Sequence, residues 1–437
     1  MERILQFILS LSLLIVLHEM GHFIPARIFK TRVEKFFLFF DPWFALFKKK
    51  IGDTVYGIGW LPLGGYVKIS GMVDESMDTE ALKEPPKPWE FRAKPAWQRL
   101  IIITGGVIVN FILGIIIYAG IMAYYGEDYL AVDKMKYGIG VGEVGREIGL
   151  EDGDKVIAIN GMRPERYSQI PIEMVLSDGG NMTIERKGET VTLPITAEMV
   201  GKMIDKKEPA IFLPMPFIVG EFSDSSVAKE AGMQVGDSLY AVNGEPLIFH
   251  HKFIEEIPKH KDEPIVVTAY RNGEPMEFTM TIPASGLMGI RPEGDLTRVY
   301  DLETKKYGGL SALGAGFRVA GEKLSYYVRQ FKVIFSPETG AYKEVGGFIT
   351  IAKQFENEWN WRKFWEFTAF LSLMLGFLNI LPIPALDGGH MIFILFEMVS
   401  GRKPSTKFLE YAQMVGFFLL LALIVLANGN DVMGLFR

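Results

Sequence analysis

The stretch Ile4–Ala26 is apolar and about 23 residues long, enough to cross a ~30 Å hydrocarbon core as one helix. It is interrupted by His18-Glu19-Met20-Gly21-His22. Residues four apart share a helix face, so His18 and His22 present two imidazoles to one side, with Glu19 beside them. Ionisable groups at that depth cost on the order of 2.5–3.5 kcal/mol each, and are retained where they serve a function. Such a helix has to meet other polar groups inside the membrane. A second polar constellation lies far along the chain. In Asn379-Ile380-Leu381-Pro382-Ile383-Pro384-Ala385-Leu386-Asp387-Gly388-Gly389-His390, an acid and a histidine again sit among apolar residues. The two constellations can satisfy each other.

H-E-x-x-H on a helix is the arrangement of zinc hydrolases: two imidazole ligands, and a carboxylate able to reach a water on the ion. The rest of the composition narrows the setting. A hydrophobic fraction of 49% in 437 residues, with charge clustered outside a few long apolar stretches, describes a polytopic membrane protein with soluble insertions. A net charge of −6 offers nothing to nucleic acid. With no cysteine, disulfides and thiolate ligands are excluded, leaving histidine and carboxylates to hold a metal. The N-terminus lacks a strong basic start and an A-x-A site, so it reads as a retained helix rather than a signal peptide.

Arg27, Lys30, Arg32, Lys35 and Lys48-Lys49-Lys50 follow the first span, which places that flank in the cytoplasm and the N-terminus outside. Phe36–Phe47, aromatic and too short to span, is expected at the interface. Thr54–Gly71 reads as a hairpin: Val55–Trp60 alternates, Pro62 and Gly64-Gly65 turn, and Tyr66–Ile69 resumes. At membrane depth a hairpin has to be enclosed by protein or face a watery cavity. Asp74–Arg99 is a polar loop. Leu100–Tyr125 is the second span, with Gly105, Gly106 and Asn110 on its polar face; small residues there permit close helix contact.

From Gly126 the chain turns soluble and repeats itself. Gly149–Gly161 matches Gly232–Gly244 at an offset of 83, and Arg186-Lys187-Gly188-Glu189 matches Arg271-Asn272-Gly273-Glu274 at an offset of 85. A G-x-x-x-G-D turn, an alternating strand and an N-G turn resemble PDZ domains, here two in tandem. Leu310–Phe335 has apolar residues at helical spacing with basic residues between, an amphipathic helix expected on the outer membrane surface. Trp359, Trp361 and Trp365 form an aromatic belt. Phe364–Leu381 enters the membrane, Pro382 and Pro384 break it, Met391–Val399 resumes, and Tyr411–Ala427 crosses back. That makes four spans with both termini outside.

A catalytic zinc takes three protein ligands. Of six histidines, His250, His251 and His260 fall in the second repeat and read as surface residues. His18 and His22 supply two ligands. The third is a carboxylate at matching depth: Asp387, just past the break, or Glu397. His390 is a ligand or a hydrogen-bond partner of one. Glu19 is the candidate general base and Asn379 a candidate donor to a developing oxyanion.

HEMGH, LPLGGYVK at 61–68 and NILPIPALDGGH together resemble the site-2 protease family of intramembrane metalloproteases, in the branch with two PDZ domains. The resemblance covers nearly the whole chain. One departure is Gly106-Val107-Ile108-Val109-Asn110-Phe111, where the family has a proline at the second position. The resemblance implies one Zn2+ on His18, His22 and Asp387, with Glu19 and Asn379 catalytic. It also implies a membrane-reentrant β-hairpin whose residues Gly64, Gly65, Tyr66, Val67 and Lys68 pair with an unwound substrate strand. The expected substrates are single-span membrane proteins, namely anti-sigma factors and signal-peptide remnants, cut after an earlier extracytoplasmic cleavage. The expected protein is a monomer in the bacterial cytoplasmic membrane with no nucleic-acid partner, its PDZ pair outside as a size filter or a sensor of new carboxyl ends. The domains follow: 1–126, N-terminal membrane core; 127–210 and 211–292, PDZ-like; 293–362, amphipathic linker; 363–437, C-terminal membrane core. A non-catalytic PDZ scaffold and a zinc-dependent transporter are the rivals. The first leaves the H-E-x-x-H set without a purpose, and the second lacks further intramembrane acids.

Overall fold

The computed structural model describes residues 2–62, 64–72, 84–177, 179–247 and 249–434. Residues 73–83 of the expected loop Asp74–Arg99, and Leu63 of the LPLGGYVK run, lie outside the described residues. The chain forms two units. One comprises Met1–Gly126, Lys306–Phe331 and Tyr342–Arg437; the other comprises Glu127–Lys305 and Lys332–Ala341.

The first unit is helical with one small sheet. Helix α1 runs Glu2–Ile28 and α2 runs Ala96–Tyr124. Between them lie β1 (Val33–Leu38), β2 (Phe40–Ile51), β3 (Thr54–Leu61) and β4 (Tyr66–Ile69), in the order β2-β3-β1-β4. Two expectations change here. Phe36–Phe47 is not a separate interfacial segment, because its residues build β1 and β2. Nor do the two runs of Thr54–Gly71 form a hairpin. β1 lies between them, parallel to β3 and antiparallel to β4. The reason is packing: Val33 and Phe37 of β1 are fully buried, and Phe37 stacks on Tyr66 of β4 at 5.4 Å. A direct β3–β4 pairing would leave both outside. The hairpin is instead β2–β3, closed between Ile51 and Thr54. β4 is therefore an edge strand.

Helix α3 (Leu310–Phe335) is continuous. Its Ala315 and Val319 pack with Tyr118 and Ile121 of α2. After a short helix α4 (Phe348–Lys353) comes α5 (Trp361–Ile380), and Tyr327 of α3 meets its Phe370 and Phe377. Over this stretch the amphipathic helix is joined to the bundle. α6 (Asp387–Ser400) and α7 (Thr406–Gly434) complete the unit. By length and composition α1, α2 and α7 could each cross a membrane. The α5–α6 pair is interrupted at residues 381–386, where Pro382 and Pro384 cannot continue a helix. α2 stays unbroken at Val107. Buried polar contacts tie the helices together: Thr368 Oγ1 donates to Ser10 Oγ at 2.9 Å, and Ser372 Oγ donates to the Asn110 carbonyl at 2.8 Å. Away from water each such group needs a partner.

In the second unit the sequence repeat has physical content. Arg186 makes a two-pronged ion pair with Asp154 (2.8 and 2.7 Å), and Arg271 does so with Asp237 (2.7 and 2.7 Å). Asn160 Oδ1 accepts from Asn181 N, and Asn243 Oδ1 from Val266 N, both at 2.9 Å. Both asparagines adopt a positive φ, near 50°, which closes the N-G turn. Burial pushes the Asp237 carboxyl up, but hydrogen bonds from Arg271 and Gln234 N outweigh it and hold it below the usual range. The first repeat has the three-stranded sheet Lys155–Ile159, Gly180–Arg186 and Glu189–Ile195. The second has a larger sheet with Phe253, Val267 and Ala269 at the centre of its core. The second-repeat histidines are not free surface groups. His250 packs edge-on against Phe217 at 4.6 Å, His251 lies 3.4 Å from Asp152 of the first repeat, and His260 lies 3.2 Å from Glu256.

Candidate metal centre

His18 and His22 lie one turn apart on α1, and their rings meet at a centroid distance of 4.9 Å. What brings α2 against them is a pair of backbones without side chains. A Cβ on Gly21 would overlap the Gly105 carbonyl, one on Gly105 would overlap the Gly21 carbonyl, and one on Gly106 would overlap the rings of His22 and His18. Glycine at these positions lets the two helices touch at the height of the histidines.

Asp387 arrives from the other end of the chain. α5 ends at Ile380, and the interrupted segment turns through Ala385, whose φ of +82° is unusual for a residue with a side chain. α6 then begins at Asp387 itself. A Cβ on Gly388 would overlap the Leu381 carbonyl, and one on Gly389 would press on Ile383 and Pro384, so the doublet lets α6 fold back onto the break. The strained turn is held from α7. The buried Gln413 accepts a hydrogen bond from Ala385 N at 3.1 Å through its Oε1. Nothing in the local sequence around Gln413 signals this role, because its partner lies 28 residues away.

The three side chains converge. The two Nε2 atoms are 3.3 Å apart, and Asp387 Oδ2 lies 3.5 Å from His18 Nε2 and 3.3 Å from His22 Nε2. Ligands about 2.0–2.1 Å from a tetrahedral zinc stand roughly 3.3–3.4 Å from one another, so this triangle fits that ion. Among the described residues this is the group of histidines and acids whose ligand atoms lie close enough to hold a metal. Asp387 Oδ2 is buried with no hydrogen-bond donor of its own among the described residues. Left so, it would cost on the order of 1–3 kcal/mol or more, and a cation between the three groups removes that cost.

The outer hydrogen bonds set the rings. His22 Nδ1 lies 2.9 Å from the Ile102 carbonyl, which can only accept, so Nδ1 carries the proton and Nε2 offers its lone pair. Asn110 Nδ2 lies 3.0 Å from His18 Nδ1, and the buried Oδ1 has no partner among the described residues. Turning the amide over lets Oδ1 accept from Nδ1–H and gives His18 the same tautomer. Asn110 was legible as a polar position of the second span, but not as the partner of His18.

Glu19 is half-buried beside the triangle and is not one of its three members. A methyl on Gly65 would lie 3.6 Å from Glu19 Cγ, so the turn leading into β4 passes next to this carboxylate. Gly64 lies in the same turn, and Tyr66, Val67 and Lys68 lie on the edge strand. Asn379 is half-buried in the last turn of α5, outside the triangle. His390 stands one turn along α6 from Asp387 and is also outside it. Glu397, the other acid considered as a ligand, is occupied elsewhere: Arg99 Nη2 donates to it at 2.5 Å in a nearly buried ion pair.

A profile of the family described as peptidase family M50 matches residues 6–423. The chain is 28% identical to a Vibrio cholerae protein provisionally named a zinc metalloprotease, over 97% of each chain. It is 27% identical to the regulator of sigma E protease of Salmonella typhi and 27% identical to the protease RseP of Yersinia pestis, again over 97% of each chain.

Proposed function

Because the chain belongs to peptidase family M50, the zinc-dependent site-2 proteases, we propose that His18, His22 and Asp387 hold its zinc and that Glu19 is its general base. The protein is a zinc intramembrane metalloendopeptidase. The observation that supports this ligand set is the triangle of donor atoms 3.3–3.5 Å on a side, drawn from α1 and the start of α6. When bound there, zinc supplies Lewis acidity, lowering the pKa of water and polarising the scissile carbonyl. Glu19 takes the proton from the attacking water and passes it to the leaving amine. Asn379 donates to the carbonyl oxygen as charge develops. Asn110 and the Ile102 carbonyl keep both imidazoles in the tautomer that offers Nε2.

A peptide bond inside a helix is shielded, so the substrate has to unwind. β4 offers an edge for the unwound piece, beginning beside Glu19, with Gly64, Gly65, Tyr66, Val67 and Lys68 as the contact residues. The substrates in this reading are single-span membrane proteins, anti-sigma factors and signal-peptide remnants among them, after an extracytoplasmic cut. The interrupted α5–α6 pair is the fourth span, both termini and the two PDZ-like repeats lie outside, and the protein sits in the bacterial cytoplasmic membrane as a monomer. The second repeat has an apolar groove of about 400 Å³ between His250–Pro258 and Gly286–Pro292, suited to an extended peptide end.

The test is Glu19→Gln in the purified protein. Cleavage of a single-span reporter should fall by about 10²–10⁴-fold while zinc remains stoichiometric, since the ligands are untouched. Parental cleavage by this variant would remove Glu19 from the base role.

A further inference from the structure

At the end of α1, a cavity of about 490 Å³ is lined by Arg27, Lys30, Thr31, Arg32, Asp53 and Trp89. We propose that it is a binding site for a phosphate-bearing anion, of the kind carried by a phospholipid headgroup or by free phosphate. Three cations face one carboxylate there, and none of the four side chains has an ion-pair partner among the described residues. These cations are not needed to finish the helix. Lys30 turns the chain with a φ of +54°, Thr31 N donates to the Ala26 carbonyl at 2.8 Å, and the Lys30 carbonyl accepts from Lys94 Nζ at 3.3 Å. The backbone wall is firm, because Arg32 N donates to the Trp89 carbonyl at 2.9 Å.

The independent observation is Thr31. It is 1% exposed, it lines the cavity, and its hydroxyl has no hydrogen-bond partner among the described residues. A buried hydroxyl without a partner is costly, and a valine of the same shape would avoid that cost. Turning the Thr31 side chain toward the cavity would present the hydroxyl to a phosphate oxygen there. Two guanidinium groups and an ammonium in one cavity offer more donors and positive charge than a carboxylate or a halide uses, which favours a phosphate. Trp89, about half exposed, suits the headgroup level of a bilayer. His22 lies five residues before Arg27 on the same helix, so an anion here would steady the helix end next to the proposed metal ligands. The site rests on α1 crossing the membrane and does not depend on the zinc assignment.

The experiment uses the full-length protein reconstituted in phosphatidylcholine bilayers with or without phosphatidylglycerol. Lipid retained after mild extraction is measured by mass spectrometry, and zinc content is measured on the same samples. A parallel arm titrates inorganic phosphate into the phosphatidylcholine sample and reads thermal stability. Retention of phosphatidylglycerol identifies a headgroup as the source, and stabilisation by phosphate identifies the free anion. In either case Arg27→Gln/Arg32→Gln should abolish the effect, and Thr31→Val should weaken it about tenfold. Thr31→Val keeps the shape of the site and its charge, so it decides the matter even if the double variant folds poorly. Wild-type binding that survives unchanged in Thr31→Val, or no binding in either arm by protein that has inserted, overturns the proposal. Loss of zinc from the wild type would instead count against the metal centre.

Discussion

At the residue scale the site depends on side chains that are missing as much as on those present. Gly106 faces the rings of both histidines, and a methyl group there would overlap them. Because Gly105 and Gly21 are already in backbone contact, α2 cannot back away without losing that contact. Gly106→Ala is therefore expected to reduce zinc content and reporter cleavage together, by at least tenfold, with the fold retained. Gly120→Ala is the control, since a methyl there meets nothing. Full zinc occupancy in Gly106→Ala would show that the helices have room to separate. Glu397 is the contrasting residue. Its ion pair with Arg99 ties the end of α6 to the start of α2. Removing one partner of a buried pair costs about 3–5 kcal/mol. Its substitution should thus lower stability, whereas substitution of Asp387 should lower zinc content.

At the scale of elements, β4 and α7 carry the arrangement. Among the described residues β4 has β1 on one side and no strand on the other. Successive backbone N–H groups of a strand point to opposite sides, so proline removes an inward donor at one position and an outward donor at the next. Of Val67→Pro and Lys68→Pro, one should destabilise the sheet, while the other should leave the fold and zinc intact and impair cleavage. Alanine at either position should do less, because the proposed contact is through the backbone. If neither proline affects cleavage by a folded, zinc-loaded enzyme, edge pairing is not how substrate is held. α7 is mostly exposed, yet its Gln413 satisfies the one backbone N–H of the strained Ala385. Gln413→Leu keeps the volume and leaves that donor unpaired, at a cost of about 1–3 kcal/mol. The turn before Asp387 should loosen and zinc affinity fall, which a chelator competition measures.

At the scale of the molecule, the larger segment of the second unit, Glu127–Lys305, is an insertion whose ends meet. Glu127 and Lys305 are opposite partners in a short antiparallel pair. Gly126 and Lys306 are therefore neighbours, and this segment can be removed without stretching the first unit, leaving Lys332–Ala341 as the remainder of the second. Deletion of Glu127–Lys305 should leave a membrane unit that folds and loads zinc. If the repeats restrict access, that protein should cut full-length substrates that the parent leaves alone. A zinc-loaded but inactive deletion would mean that the repeats recruit substrate. The acid response belongs to the same scale. The Asp237 carboxyl is held below its usual range by Arg271, so its contribution is present above the unfolded value and lost as pH falls through the lower folded one. Arg271→Met should flatten that loss of stability between about pH 4 and lower values, seen as a smaller acid shift in melting temperature.

Periodicity alone pairs His18 with His22, because four residues make one helical turn, and an apolar run of membrane length forces those two groups to find polar company. The duplicated G-D, N-G and R-x-G positions were likewise legible, because each is a local turn or strand signal repeated at a fixed offset. Two prolines before Asp387 announce a break wherever they stand in a helix. None of these local signals carries distance information. Which acid meets the histidines was decided by the packing of α6 against the break, and Glu397 was drawn off by Arg99. The position of β1 between β3 and β4 was hidden because its stabilisation comes from burying Val33 and Phe37, a non-local gain that strand propensity does not register. Glycines at 21, 105 and 106 read only as small residues until two helices were seen in contact through them. Periods, turns and chain breaks are local properties, whereas the metal triangle and the sheet order depend on contacts between residues far apart in the chain, and only tertiary structure determines those.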